Sequence, residues 1–145
     1  MLAKTIEYVD YNGVKRKETF YFNLTRAEIT ELQLTYPGGY AEYIERTINS
    51  NDSPELMKMF KDIIRRSYGE KTDDGKRLVK SEELSEAFMQ TEAYDELFME
   101  LCTESGAAIN FISGILPNFS TPDEKERIIQ EAMKRTEQLA ESSDS

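Results

Sequence analysis

The sequence predicts an α+β fold that is mainly α: an N-terminal β-hairpin, a helical bundle, and a C-terminal amphipathic helix. Three observations carry this. Residues 3–22 are rich in β-branched and aromatic side chains and are interrupted by Asn12-Gly13. Between Ile29 and Leu116 apolar residues recur at helical spacing, most fully at Tyr94, Leu97, Phe98 and Leu101, which stand at i, i+3, i+4 and i+7 on one helix face. Beyond Pro117, the fresh start Thr121-Pro122-Asp123-Glu124 opens one more apolar stripe.

In the hairpin, Thr5–Tyr11 and Val14–Phe22 are the strands, and Asn12-Gly13 predicts a type I′ turn because both residues tolerate positive φ. A two-stranded hairpin is marginal in water, so it must pack on a helix or on a neighbouring subunit. Thr25 is the expected N-cap of the first helix. Glu28 three residues later completes a capping box, and Leu24 with Ile29 can form a hydrophobic staple. That helix ends before Pro37, and Gly38-Gly39 makes a corner. A second helix carries Tyr40, Tyr43, Ile44 and Ile48, followed by a loop at 49–52. Ser53 as N-cap with Pro54 at the first turn begins a third helix, with Leu56, Met59, Phe60, Ile63 and Ile64 inward, stopping near Gly69.

The stretch 69–80 is polar, with a tight turn at Asp73-Asp74-Gly75 and a short extended piece at 77–80. Ser81 caps a helix through Phe88, Thr91 caps the next, and another spans about 105–116. In the C-terminal segment Ile128, Ile129, Ala132, Met133 and Leu139 form the stripe, and Ser142–Ser145 should fray. The expected organisation is one domain over 1–117 and a helical extension over 118–145.

Composition narrows function more than any motif does. The chain has 145 residues, a net charge of −10 and no histidine. A strongly acidic chain is a poor match for nucleic acid, which is held by clustered Lys and Arg. Without histidine, Cys–His and Ser-His-Asp nucleophiles are excluded. Cys102 is alone, so no intramolecular disulfide forms, and it reads as a small buried hydrophobe. No run approaches the roughly 18 apolar residues of a membrane helix. The first residues lack a signal-peptide core. Asp73-Asp74-Gly75 with Glu82-Glu83 lacks the ligand alternation of a calcium loop. Tyr36-Pro37-Gly38-Gly39-Tyr40 lacks the pattern of a phosphate loop. The expectation is a soluble intracellular protein that is no enzyme, with no cofactor, no metal, no nucleic acid and no membrane.

Binding is the remaining class. From Ser81 to Glu124 there is no Lys or Arg, while Glu82, Glu83, Glu86, Glu92, Asp95, Glu96, Glu100, Glu104, Asp123 and Glu124 accumulate. Within it Tyr94, Leu97, Phe98 and Leu101 share one helix face, and Glu92, Glu96 and Glu100 form a ridge at i, i+4 spacing. Each such like-charge pair costs about 0.2–0.5 kcal/mol in an isolated helix. The ridge reads either as a solvated face or as a surface that a basic partner neutralises. The aromatic cluster Tyr8, Tyr11, Phe20, Tyr21 and Phe22 reads as packing on one strand face and, at Tyr11 and Tyr21, as an exposed sticky surface. The β-rich hairpin edges, only partly guarded by Lys15 to Lys17, allow self-association.

Several segments in order resemble the tail assembly chaperones of long-tailed (siphovirus-type) phages and prophages of Gram-positive bacteria. These are Thr19–Thr25, the Tyr36–Gly39 corner, Phe60–Lys71, Asp73–Arg77, Phe88–Phe98 and Phe111–Pro117. The resemblance implies a non-enzymatic protein that coats the tape measure protein, keeps it soluble, helps recruit the major tail (tube) protein, and is absent from the finished virion. Its setting would be the cytoplasm of the infected or lysogenic host. The family supplies no binding residues to map. From the residues themselves, the expected partner-binding set is Tyr94, Leu97, Phe98 and Leu101, with Ile128, Ile129 and Met133 from the last helix. Two other classes stay open: a structural virion subunit (tail or connector), and an acidic DNA-mimic inhibitor.

Overall fold

The computed structural model describes residues 1–116 and Met133. Among them the order is β1 (Leu2–Val9), β2 (Lys15–Phe22), α1 (Arg26–Thr35), α2 (Tyr40–Ser50) and α3 (Ser53–Ser67). Then follow β3 (Tyr68–Lys71), β4 (Leu78–Val79), α4 (Glu82–Met89), α5 (Glu92–Thr103) and α6 (Ala107–Ile115). The α+β, mainly helical class is as expected.

The expected N-terminal hairpin forms, pairing Leu2 with Phe22 and Val9 with Lys15. Its turn is not the predicted type I′. Gly13 has φ +80°, but Asn12 is not among the positive-φ residues, and a I′ turn needs both. The Gly13 amide instead donates to the Asp10 carbonyl at 2.9 Å, and the Asp10 amide donates to the Val14 carbonyl at 2.9 Å. The result is a three-residue loop closed by glycine in the left-handed region. The Asp10 side chain selects it by accepting from the amides of Asn12 and Val14.

A second hairpin completes the sheet, and it is the largest departure from the sequence reading. The residues after α3, expected only as polar chain, become β3, which pairs antiparallel with β2 through Tyr21–Gly69 and Phe22–Tyr68. The extended piece at 77–80 becomes β4, paired with β3. The sheet order is β1-β2-β3-β4. The turn at Asp73-Asp74-Gly75 is present, with Gly75 at φ +74°.

One face of the sheet is covered and the other is wet, as is common for antiparallel sheets. Inward, Ile6 and Phe22 are buried and Leu2, Tyr8 and Phe20 are half-buried; Ala3, Thr5, Glu7 and Val9 point outward. Phe22 is fully buried, in ring contact with Tyr68, Phe88 of α4 and Phe111 of α6. Gly114 of α6 lies so near β1 that a Cβ there would stand 3.0 Å from Leu2.

The helix ends follow their sequence signals with one shift. Thr25 and Glu28 form the capping box on α1. Helix α2 runs through the expected loop to Ser50 and ends at Asn51 in the left-handed region. The cap of α3 is therefore Asp52 rather than Ser53; its carboxylate accepts from the Glu55 amide. Leu56, Met59, Phe60, Ile63 and Ile64 of α3 are all within 1% of complete burial, as their spacing predicted. The C-terminal stripe residues Ile128, Ile129, Ala132 and Leu139 lie outside the described residues. Met133 is helical, 4% exposed and part of the same core.

Candidate functional site

Helix α5 carries most of the expected binding residues and the ridge of acids. Its start is set by Thr91, whose hydroxyl accepts from the Tyr94 amide at 3.3 Å. From there the helix presents three different faces.

The innermost face is Ala93, Leu97 and Leu101, at 0%, 0% and 2% exposure. These pack in the core where α5 meets β1 and α6. Of the expected binding residues, Leu97, Leu101 and Met133 are therefore core, and a partner reaches them only by displacing the protein's own packing. Ile128 and Ile129 lie outside the described residues. Tyr94 and Phe98 are half-buried and form, with Cys102, an adjoining stripe at i, i+4 and i+8. Tyr94 meets Phe88 edge-on at 6.1 Å between ring centroids and Phe98 at 5.8 Å. Burial raises the Tyr94 phenol above its ordinary value and pushes the Cys102 thiol up to about 11, so the thiol stays protonated and inert at neutral pH. The third face, Asp95, Glu96 and Met99, is open to solvent.

The glutamate ridge does not stand apart from the hairpin. Lys4 of β1 reaches Glu100 at 2.8 Å. Tyr11, at the hairpin tip, donates to the Gln90 carbonyl at 3.3 Å, and the neighbouring Glu92 charge raises its phenol pKa. Glu96 shares a shallow groove of about 510 Å³ with Glu7, Tyr8, Val9, Lys15, Arg16 and Lys17. A surface that the sequence offers to a basic partner is thus partly answered from within the chain.

A second polar arrangement was not legible in the sequence. Beneath the Tyr36–Tyr40 corner, the Tyr40 hydroxyl donates to Asp62 at 2.7 Å and Arg66 donates to the same carboxylate at 2.9 Å. Arg66 also donates to the Tyr36 hydroxyl at 3.2 Å. Every partner is satisfied, so the network serves to fix α2 on α3. Its consequence is a pH dependence. Burial first, and then the Asp62 charge, hold the Tyr40 phenol far above its ordinary value of about 10. Above pH about 10 the unfolded chain has lost that proton and the folded chain keeps it, so stability falls as pH rises further. The expected slope from this one group approaches 1.4 kcal/mol per pH unit. Thermal melts of wild type and Tyr40→Phe from pH 8 to 11 check it, because the variant should fall less steeply on the alkaline side.

Among the described residues no group of His, Cys, Asp and Glu is placed to hold a metal ion, and no helix is long and apolar enough to cross a membrane.

Comparison with known proteins adds one finding. Residues 1–144 match the family model described as phage tail assembly chaperone. No curated protein and no solved structure matches the chain. With nearly its whole length matched, the chain belongs to the phage tail assembly chaperone family.

Proposed function

We propose that this protein binds and solubilises the tape measure protein of a long-tailed, siphovirus-type phage of Gram-positive bacteria, and helps recruit its major tail (tube) protein. The observation that carries this reading is the family match over residues 1–144. A long, largely apolar helical client aggregates when uncovered. A chaperone for it needs apolar contact surface, together with net charge that keeps the complex in solution. The half-buried stripe Tyr94, Phe98 and Cys102 beside exposed Met99 supplies apolar surface on α5, and the net charge of −10 supplies the repulsion. Leu97 and Leu101 stand behind this stripe and hold it in place. The protein acts in the host cytoplasm during assembly and leaves before the virion is complete.

Co-expression with the tape measure protein of the same phage tests the reading. The expected result is a soluble tape measure protein that co-elutes with the chaperone in stoichiometric amounts. An insoluble tape measure protein beside intact, folded chaperone overturns it. In that case recovery in purified particles would assign the chain as a virion subunit, and displacement of DNA from a host enzyme would assign it as a DNA mimic.

A further inference from the structure

We infer that the outer edge of β1 is a docking site for an extended polypeptide segment with Lys or Arg at alternate positions. The segment adds to the sheet as a further strand, its basic side chains lying along the glutamate ridge of α5. That ridge flanks the buried face of α5 on the side opposite the Tyr94–Phe98 stripe, so the site stands whichever client the stripe serves.

The backbone defines the site. β1 begins the order β1-β2-β3-β4, and among the described residues no strand pairs with its outer side. The Asp10 amide bonds to the Val14 carbonyl, so Asp10 and Val14 are a hydrogen-bonded pair, and such pairs recur at every second residue. Leu2, Lys4, Ile6 and Tyr8 therefore turn their amides and carbonyls toward β2. Ala3, Thr5, Glu7 and Val9 turn theirs to the open edge. Natural edges are commonly blunted by proline, a bulge, an inward charge or a very short strand. β1 has eight residues and no proline, and it pairs with β2 one to one without a bulge. Its one inward charge, Lys4, is neutralised by Glu100 at 2.8 Å. The opposite edge strand, β4, has only two residues.

The charges beside this edge choose the occupant. Helix α5 packs against β1, and its ridge follows the strand from end to end. Glu92 stands by Tyr11 at the hairpin tip, Glu96 lines a groove with Glu7, Tyr8 and Val9, and Glu100 and Glu104 line a hollow of about 210 Å³ with Leu2 and Lys4. Glu96 is exposed and, among the described residues, in no ion pair. The hairpin's other cations lie one strand farther from the edge, on β2, where Arg16 is held by Asp10 at 2.7 Å and Lys17 is paired across from Glu7. A strand sends every second side chain to one face, so an added segment points alternate residues toward α5. Lys or Arg there meets Glu96 and its neighbours, while the segment's backbone takes up the open amides and carbonyls. An acidic segment is repelled by Glu7, Glu96 and Glu100. A second copy joined edge to edge brings two glutamate ridges together and meets the same repulsion. A helix leaves the edge unpaired. Isolated surface ion pairs contribute little, so the backbone bonds hold the segment and the charges select it.

The test is titration of the full-length protein with an end-blocked peptide of alternating lysine and threonine, matched to β1 in length, read by calorimetry and amide hydrogen exchange. Binding is expected at a Kd below about 1 mM in moderate salt, with new protection at the amides of Ala3, Thr5, Glu7 and Val9. The same peptide with glutamate in place of lysine should not bind. The lysine peptide with its backbone amides methylated keeps the charge but cannot pair with the edge, and should bind at least tenfold more weakly. Glu96→Lys, at an exposed site, should leave the circular dichroism unchanged and weaken binding of the lysine peptide about tenfold. Absence of binding by the lysine peptide overturns the inference. So does equal binding of the methylated peptide, or a complex indifferent to Glu96→Lys. Protection of the same amides before any peptide is added means that the edge is already taken, by a second copy if protection grows with concentration, and overturns it as well.

Discussion

Phe22→Ala is expected to lower unfolding stability by about 3–5 kcal/mol, one of the largest losses that a single truncation in this chain can cause. Phe22 is the last residue of β2, fully buried, with ring centroids 5.2–5.9 Å from Phe111, Phe88 and Tyr68. It therefore joins the sheet to α4 and α6 at once. Its backbone also pairs with Tyr68, so the ring sits where the first hairpin passes into the second. The rings around it are held by one another: Tyr68 stacks on Phe88 at 4.4 Å and 11°. They cannot collapse into the void without giving up that stacking, so most of the cavity should persist. For a chain of this length the loss corresponds to a fall in melting temperature of about 10 °C. Urea denaturation followed by circular dichroism gives the value directly. A loss below about 1 kcal/mol would mean that the aromatic cluster repacks, and that Phe22 does not tie the layers together.

How far the fold was legible in the sequence depended on how local its causes are. The capping box of Thr25 and Glu28 and the inward face of α3 are decided within a few residues, and both appear as read. The hairpin turn was half legible. Asn12-Gly13 announces a turn, but the Asp10 carboxylate, accepting from the amides of Asn12 and Val14, decides which one. Strand β3 was not legible, because Tyr68-Gly69-Glu70-Lys71 has neither a strand-like alternation nor β-branched residues. It becomes a strand because the Tyr68 ring has a place between Phe22 and Phe88, and because bare Gly69 lets Leu78 approach to a distance where a Cβ would stand only 2.6 Å from its side chain. The acidic ridge shows the same limit at longer range. Its i, i+4 spacing is local, whereas the lysine that meets Glu100 lies 96 residues earlier in the chain. The candidate site was legible as an apolar face on α5, but spacing alone does not tell which side of that face the hairpin occupies.

On α5, Leu97→Ala and Phe98→Ala are neighbours in sequence with expected effects of different kinds. Leu97 is completely buried, and its truncation should cost about 2–5 kcal/mol of stability. Phe98 is only partly buried, one contact being the Tyr94 ring at 5.8 Å, and a minor part of its surface stays in water in the isolated protein. Its truncation should cost roughly 1–2 kcal/mol of stability, since only the buried part of the ring is lost. With the tape measure client proposed above, the order should reverse. An aromatic side chain at the centre of an apolar contact is the type that dominates binding, where truncation commonly costs 2 kcal/mol or more, about thirtyfold in affinity. Phe98→Ala should therefore remain folded yet keep far less tape measure protein in solution. Leu97→Ala should lose rescue only at temperatures where the variant itself unfolds. Pairing urea unfolding with client solubility at 20 and 37 °C separates the two. A folded Phe98→Ala protein that rescues its client fully would remove the α5 stripe from the binding surface, leaving Leu97 and Phe98 with the same purely structural role.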